Sequence, residues 1–271
     1  MAIHVDQLGR SIELKQTPKR IISLVPSQTE LLFDLGLDEE VIGITKFCVH
    51  PEHWFKTKTK IGGTKQLHLD KIKELQPDLI IANKEENARE QIEELAKEFP
   101  VWISDVEDLD DALAMVINVS EVVGRKDGGI NLATSIVKSF MHLNKREHQN
   151  FQTLYLIWKD PYMTVGADTF IHEMMKRAGF NNVFGDWARY PQLTEEQLTK
   201  IKCELILLPS EPFPFKQKHI DAIQPLFSRA KIILVDGEMF SWYGSRLIKA
   251  PAYFQQLQNQ VLSLNNARGT E

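Results

Sequence analysis

Arg20-Ile21-Ile22-Ser23-Leu24-Val25, followed by Pro26-Ser27-Gln28-Thr29-Glu30, is the stretch that decides the fold. The first six residues are mostly apolar, which predicts a buried strand. Ser27 and Glu30 have the spacing of a capping box, so a helix is predicted to begin there. Gly36 stands where that helix should end. A buried strand leading directly into a helix is the building unit of a parallel α/β sheet.

The same alternation continues along the chain. Further strands are predicted at 41–44, 78–82, 101–103, 153–158, 204–208 and 231–235. Helices are predicted at 69–75, 86–99, 109–123, 130–146, 169–178 and 253–264. Strands that alternate with helices require crossover connections, so the sheets should be mostly parallel.

We predict two α/β lobes with Rossmann-like sheets, bridged by one long helix. The N-terminal lobe is expected at 1–124, the bridging helix and linker at 125–150, and the C-terminal lobe at 151–271. Gly128-Gly129 opens the bridging stretch, and a polar segment from Asn144 to Asn150 closes it. The alternation of strands and helices restarts after this segment.

An internal echo with an offset of 126 residues supports two related lobes. The positions Asp70, Ile72, Leu75, Asp78, Leu79 and Ile80 correspond to Glu196, Leu198, Ile201, Glu204, Leu205 and Ile206. Both segments thus contain the same pattern in register: an acidic residue, apolar residues on one helix face, a second acidic residue and then a strand. We therefore expect equivalent positions in the two lobes.

Composition and motifs exclude several classes of protein. The chain has 271 residues, 43% of them hydrophobic and 25% charged, as in globular proteins. Its net charge of −5 does not indicate a nucleic-acid protein. The two cysteines cannot form a disulfide framework, and the sequence contains neither a phosphate-binding glycine loop nor a G-x-S-x-G nucleophile motif.

Histidines give weak signals for a metal site held by protein groups alone. His172-Glu173 is half of a zincin motif, but Lys176 occupies the position of the second ligand, so a histidine on a helix surface is favoured. His50 and His53 are three residues apart without an evident third ligand, and Pro51 disfavours a regular helix between them. We predict no metal site and no catalytic residue.

Aromatic residues in loops are the unusual feature of this sequence. They include Phe47, Trp54, Phe55, Trp158, Tyr162, Trp187, Tyr190, Phe213, Phe215, Trp242 and Tyr243. Several directly follow predicted strands, at the carboxyl end where open α/β sheets bind ligands. Aromatic faces with a few polar groups suit a large, flat ligand. For any single aromatic residue packing is the favoured explanation, whereas for the set as the lining of a cleft we favour ligand binding.

Several motifs resemble the helical-backbone solute-binding proteins, which are the cobalamin and iron–siderophore receptors of ABC importers. The matching stretches are 18–30, 43–45, 69–81, 161–166, 178–184 and 191–196. Their order and spacing cover nearly the whole chain from Thr17 onward, and the likeness is greatest to the cobalamin-binding branch. The resemblance implies two lobes joined by a rigid helix, with the ligand held between them.

The resemblance also assigns roles to individual residues. The aromatic ligand contacts of the cobalamin branch correspond to Phe47, Met163 and Tyr190, and one of its tryptophans corresponds to Thr64. Its two acidic residues that dock onto membrane subunits correspond to Asp70 and Glu196. The alternative is that these two acidic residues only stabilise the helix dipole of a first helical turn.

The complete set of expected ligand-binding residues is Phe47, His50, Thr64, Tyr162, Met163, Trp187, Tyr190, Trp242 and Arg246. His50 would offer an imidazole nitrogen to a bound metal chelate. Arg246 would pair with an anionic ligand group, or alternatively with Asp236 or Glu238.

The expected function is that of a monomeric, non-catalytic binding protein for a corrinoid, a ferric siderophore or haem, without an intrinsic cofactor and serving an ABC importer. A cytosolic carrier or sensor of such a ligand, or an enzyme that uses the cleft, are the alternatives. The first residues lack the basic start and apolar core of a signal peptide, which favours a cytoplasmic chain. The resemblance instead implies the periplasm or the cell surface.

Overall fold

The computed structural model describes residues 2–143, 151–227 and 230–266. The described residues form two compact units. The first comprises those of Met1–Val106, Asp110–Val137 and Trp242–Ile248, and the second those of Glu107–Leu109, Lys138–Ser241 and Lys249–Glu271. The polar segment 144–150 of the expected linker lies outside the described residues. None of the described helices combines the length and apolarity needed to span a membrane.

A parallel five-stranded sheet forms the centre of the first unit. An antiparallel hairpin of β1 (Ala2–Val5) and β2 (Ser11–Leu14) precedes it. The sheet strands are β3 (Ile21–Ser23), β4 (Val41–Ile44), β5 (Thr59–Lys60), β6 (Leu79–Asn83) and β7 (Val101–Ser104). Their order is β5-β4-β3-β6-β7, and every neighbouring pair is parallel. The central strand β3 is fully buried, as its apolar run predicts.

Six helices connect or follow these strands. They are α1 (Pro26–Asp34), α2 (Glu52–Thr57), α3 (Leu69–Glu74), α4 (Arg89–Leu95), α5 (Leu109–Val122) and α6 (Lys126–Met141). Helix α1 begins where the sequence predicts, and Gly36 follows its end with a φ of 78°. The predicted capping box is wrong. Val25 is the N-cap and Pro26 the first helical residue, so the side chain of Glu30 is used elsewhere.

The second unit contains a mixed six-stranded sheet. Its strands are β8 (Phe151–Trp158), β9 (Tyr162–Thr164), β10 (Phe180–Asn182), β11 (Gln192–Leu193), β12 (Leu205–Pro209) and β13 (Lys231–Val235). The order is β11-β9-β8-β12-β13, with β10 also paired to β8. Strands β8, β10, β12 and β13 are parallel, whereas β9 turns back antiparallel on β8 and pairs with β11. The parallel part agrees with the predicted fold class.

Five α-helices complete the second unit: α7 (Phe170–Arg177), α8 (Glu195–Lys200), α9 (Gln217–Ile223), α10 (Glu238–Ser241) and α11 (Ala250–Asn266). Thr169 caps α7 by accepting a hydrogen bond from the backbone N–H of His172. Thr194 and Gln197 form a capping box at α8. Polar side chains thus end the loops that lead into both helices.

The echo of 126 residues is confirmed in the secondary structure. Helix α3 at 69–74 corresponds to α8 at 195–200, and strand β6 at 79–83 corresponds to β12 at 205–209. The second acidic residue of each copy has the same structural role. Asp78 accepts the backbone N–H of Arg20 at 2.8 Å, and Glu204 accepts that of Gln152 at 3.0 Å. Each carboxylate therefore ties the start of a central strand to its neighbour.

Candidate functional site

The loops that follow the parallel strands of the first unit carry most of its candidate residues. Phe47 and His50 follow β4, Thr64 follows β5, and Glu86 and Asn87 follow β6. Because these strands are parallel, their carboxyl ends lie at one edge of the sheet.

Hydrogen bonds link the loop after β5 to the loop after β6. The Asn87 side-chain amide donates to the backbone carbonyl of Thr64 at 3.1 Å, and the Asn87 side-chain oxygen accepts the backbone N–H of Asn83 at 2.8 Å. Lys65 Nζ donates to the carbonyl of Glu85 at 2.5 Å. Thr64 is therefore held in place through its backbone. Its side chain is only partly buried.

The segment Trp242–Ile248 belongs to the first unit, although the residues on both sides of it belong to the second. Gly244 approaches helix α1 so closely that a Cβ atom there would lie 2.5 Å from the carbonyl oxygen of Ser27. The Tyr243 hydroxyl donates to Glu86 Oε1 at 2.8 Å. The sequence places this segment in the C-terminal lobe, because neighbouring residues along the chain belong there.

Arg246 forms a buried ion pair with Glu30. Its Nε and one terminal nitrogen donate to the two oxygens of Glu30, at 2.8 and 2.7 Å. The sequence analysis did not name Glu30 as a partner of Arg246, and both residues of this pair are 8% exposed. The only signal in the sequence was an acidic residue in an otherwise buried helix face, which we assigned to a capping box.

His50 lies against Trp242, which joins the loop after β4 to the Trp242–Ile248 segment. The two rings meet edge to face with centroids 5.6 Å apart. The Arg246 guanidinium also lies over the Trp242 indole, 4.6 Å from the centroid of that ring. Trp242 is buried within the first unit, whereas His50 is partly exposed. Within the described residues, no group of three or more His, Cys, Asp or Glu side chains could hold a metal ion.

Four of the predicted residues thus lie in one network of contacts, which we call the first-unit network. It comprises Lys46, Phe47, His50, Gly63, Thr64, Lys65, Glu86, Asn87, Trp242 and Tyr243. The predicted members Phe47, His50, Thr64 and Trp242 are far apart in the sequence. The network brings them together with Lys46, Lys65 and Glu86, which sequence reasoning did not select.

Small polar side chains lie buried beside the loop that carries Phe47. Thr29 donates from its hydroxyl to Ser23 Oγ at 2.7 Å, and both Thr29 and Thr45 lie 3.1 Å from Cys48 Sγ. Burial raises the pKa of the Cys48 thiol to about 11, so the group stays protonated near neutral pH. Cys48 is therefore a packing residue.

The candidate residues of the second unit are divided between its core and its surface. Tyr162 belongs to the hydrophobic core, together with Leu154, Phe184 and Leu208. Met163 and Tyr190 are half-buried, and Trp187 is 56% exposed.

Backbone hydrogen bonds fix the loop that carries Trp187 and Tyr190. Gly166 N donates to the carbonyl of Arg189, and Ala167 N donates to that of Trp187, both at 2.7 Å. Arg189 has a left-handed φ of 59°, and its guanidinium lies over the Tyr190 ring at 5.5 Å. A non-glycine residue held in this conformation marks a strained loop.

Trp158 and Phe213 form a second aromatic feature in the second unit. Trp158 ends strand β8 and is 41% exposed. Its ring meets Phe213 edge to face at 5.6 Å, and Phe213 packs on Phe215 at 4.7 Å. Trp158 ends a predicted strand and Phe213 follows one, which was the available signal, but the family positions did not include them.

The two predicted docking residues are exposed in their own units. Asp70 is the second residue of α3, and Glu196 is the second residue of α8. Glu196 Oε1 accepts a hydrogen bond from Lys200 Nζ at 2.5 Å one helical turn later. Their equivalence follows from the 126-residue echo. Their role in docking stays a prediction.

His172 is not part of a metal site among the described residues. It lies half-buried on α7, and the Asn182 side-chain amide lies 3.1 Å from its Nδ1. Burial lowers the pKa of this imidazole. The histidine is therefore a structural group of the second unit.

Comparison with known proteins gives consistent matches. The sequence pattern of the family described as periplasmic binding protein matches residues 21–224. A vitamin B12-binding protein of Pectobacterium carotovorum is 26% identical over 257 residues, which cover 92% of this chain and 90% of that protein. An ABC transporter substrate-binding lipoprotein, YvrC of Bacillus subtilis, is 27% identical over 214 residues, or 74% of this chain and 67% of the lipoprotein.

A solved structure has the same fold. The periplasmic vitamin B12 binding protein BtuF of Vibrio cholerae superposes with a TM-score of 0.76 at 19% identity. The match covers 89% of this chain and 96% of that one.

Proposed function

Since the chain belongs to the periplasmic binding protein family, we propose that it is the solute-binding component of an ABC importer and binds a metal-bearing chelate. The ligand classes are a corrinoid, haem or a ferric siderophore. The role is non-catalytic: the protein holds the ligand and delivers it. It acts as a monomer, and Asp70 and Glu196 meet cationic residues of the membrane subunits.

The first-unit network is the observation that carries this proposal. It presents the half-exposed ring of Phe47 and the partly exposed His50 and Thr64 on loops that follow parallel strands of one sheet, and a hydrogen bond from Asn87 holds the loop of Thr64. An aromatic face with a few polar groups on a rigid edge suits a large, flat ligand better than a small polar one. The names of the relatives, a vitamin B12-binding protein and an ABC transporter lipoprotein, agree with this reading.

The second unit supplies further candidate contacts. Trp187 is exposed on a loop whose backbone is fixed by Gly166 and Ala167, and Tyr190 and Met163 are half-buried nearby in the chain. We include all three in the ligand-binding set. Tyr162 supports them from the core, because its ring is buried.

A panel of chelates tests the proposal. We would titrate the full chain with cyanocobalamin, hemin, ferric tricatecholate and ferrioxamine B, and follow tryptophan fluorescence and thermal unfolding. A ligand that binds only the folded state raises the melting temperature by mass action. We expect at least one chelate to bind with a one-to-one stoichiometry.

A matched pair of variants locates the site. Phe47→Ala should weaken binding about tenfold, which corresponds to the loss of one stacking contact. Phe55→Ala is the control, because Phe55 is also exposed beneath a lysine, Lys60, but lies outside the first-unit network. If no chelate binds, or if both variants bind as the parent does, the proposed function is wrong.

A further inference from the structure

A lysine lies directly over the most exposed candidate ring of the first unit. Lys46 Nζ is 5.1 Å from the centroid of Phe47, and the ring itself is 51% exposed. The face of an aromatic ring attracts a cation, so this contact orients the ammonium group beside the ring. A positive charge therefore lies against an exposed aromatic ring.

A glycine makes room for this pair. A Cβ atom at Gly63 would lie 3.1 Å from Phe47 Cε2 and 3.3 Å from Lys46 Cε. The backbone N–H of Lys46 also donates to the carbonyl of Gly62 at 2.8 Å. The turn after β5 is thus the surface on which both side chains lie, and the hydrogen bond fixes the loop that carries them.

Lys46 differs from the other cations that lie over candidate rings. Lys159 lies over Tyr162 but pairs with Asp160 at 2.8 Å. Arg189 lies over Tyr190 but pairs with Asp168 at 3.8 Å, and Arg246 lies over Trp242 but pairs with Glu30. Lys46 forms no ion pair with any of the residues that the structure describes. No carboxylate oxygen of the described residues therefore lies within ion-pair distance of its ammonium group.

A second ammonium group lies on the same turn. Lys65 Nζ donates to the carbonyl oxygens of Glu85, at 2.5 Å, and Asn87, at 3.5 Å. These are backbone acceptors, and within the described parts of the chain Lys65 has no carboxylate partner either. Two lysines without acidic partners therefore flank Gly63, one of them beside an exposed aromatic face.

We propose that Lys46 and Lys65 form an anion subsite, and that the ligand of the proposed function carries a negatively charged group. The flat part of the ligand lies on Phe47 while its carboxylate or catecholate oxygens meet the two ammonium groups. Charge-assisted hydrogen bonds of this kind are stronger than neutral ones. This inference rests on the proposed function and narrows it to anionic chelates.

The test uses chelates of different charge on the full chain. Hemin and ferric tricatecholate are anionic, cyanocobalamin has no net charge, and ferrioxamine B is cationic. We expect the anionic probes to bind at least about tenfold more tightly than the other two. Their affinity should also fall as the salt concentration rises from about 0.05 to 0.5 M, because the subsite is partly exposed.

Variants at Lys46 test whether this lysine causes the preference for anionic chelates. Lys46→Met keeps the aliphatic contact with Phe47 and removes the charge, so it should weaken hemin or tricatecholate binding about tenfold. Lys46→Arg should retain binding. Lys56→Met is the matched control, because that lysine lies in the same unit, is mostly exposed and pairs with Glu52 on its own helix.

The outcomes separate the two claims. If no probe binds the parent protein, the proposed function fails and the subsite fails with it. If a chelate binds but shows no preference for negative charge, or if Lys46→Met binds it as Lys56→Met does, only the anion subsite is overturned. A tenfold loss confined to anionic probes in Lys46→Met supports the subsite.

Discussion

Arg246 and Glu30 form a two-point ion pair inside the first unit, although 216 positions separate them in the sequence. The pair lies beside the close approach of Gly244 to Ser27, and the Arg246 guanidinium also covers the Trp242 indole. It therefore anchors the Trp242–Ile248 segment to helix α1. That anchor in turn sets the position of Trp242 against His50.

Removing one partner of this ion pair should strongly destabilise the protein. Arg246→Met leaves the Glu30 carboxylate buried without its partner, which typically costs about 3 kcal/mol of unfolding free energy. Urea unfolding followed by circular dichroism measures the change. The double variant Glu30→Leu with Arg246→Met should lose less unfolding free energy than the sum of the losses in the two single variants, because no uncompensated charge remains.

The control for this prediction is an exposed ion pair. Arg89 and Glu93 lie 2.6 Å apart on α4 with side chains that are 84% and 58% exposed. Arg89→Met should cost much less unfolding free energy than Arg246→Met, because an exposed ion pair contributes little to stability. Equal losses in Arg89→Met and Arg246→Met would show that the buried pair does not anchor the segment.

Gly244→Ala should also destabilise the first unit. The new Cβ atom would lie 2.5 Å from the Ser27 carbonyl oxygen, so the backbone must move at a cost of about 1–3 kcal/mol. Gly128→Ala is the matched control. Its Cβ would meet only Leu35 Cδ2 at 3.6 Å inside helix α6, so unfolding free energy should rise by about 0.5 kcal/mol. Equal melting temperatures of the two variants in thermal unfolding would contradict this prediction.

His172 should make stability depend on pH. Burial lowers the pKa of its imidazole below the ordinary value of 6.5, so the folded protein binds this proton less tightly than the unfolded chain does. Its contribution is complete above about pH 6.5 and is lost as the pH falls through that value toward the lower folded pKa. His172→Gln should therefore lose less stability between about pH 7.5 and 5.5 than the parent protein.

The measurement is urea unfolding at both pH values. If the parent and His172→Gln lose the same unfolding free energy between the two pH values, this imidazole is not the titrating group.

Neither cysteine should react readily in the folded protein. Burial raises the pKa of the Cys48 thiol to about 11, and burial together with the charge of Glu204 raises that of Cys203 to about 12. The thiolate is the reactive form, so a disulfide reagent at about pH 8 should modify both thiols slowly. Guanidinium chloride should expose both to rapid reaction. Cys203→Ser isolates Cys48, and fast modification of the folded variant would contradict its assignment as a packing residue.

Charge reversal of the two echoed acidic residues should abolish delivery without affecting ligand binding. We propose that Asp70 and Glu196 meet cationic residues of the membrane subunits. The double variant Asp70→Arg with Glu196→Arg would place like charges on both sides of this interface, which is strongly unfavourable. We expect cellular uptake to fall about tenfold or more while chelate affinity is unchanged. Asp110→Arg is the control, since Asp110 is an exposed acidic residue at the second position of α5. Normal uptake in the double variant would remove the docking role.

Local patterns in the sequence were sufficient for the central buried strands, most helices and the 126-residue echo, but they did not predict the short strands β1, β2, β5, β9, β10 and β11. Buried strands are apolar runs, and helix ends follow from residues such as Gly36, because these signals depend on neighbours along the chain. Thr64, after β5, was assigned only by the family resemblance, whereas the loop after β4 was recognisable as a candidate from its aromatic residues. The antiparallel turn of β9 onto β8 was not, because short strands lack a distinct pattern.

The partners of charged and aromatic side chains were decided only by the tertiary structure. Glu30 reads as a helix cap in the sequence, yet it pairs with Arg246, and Trp242 joins the first unit from within the C-terminal third of the chain. The absence of an ion pair at Lys46 among the described residues is equally invisible in the sequence. Burial and ion pairing depend on residues that meet only after folding, and a pattern of neighbours along the chain does not contain them.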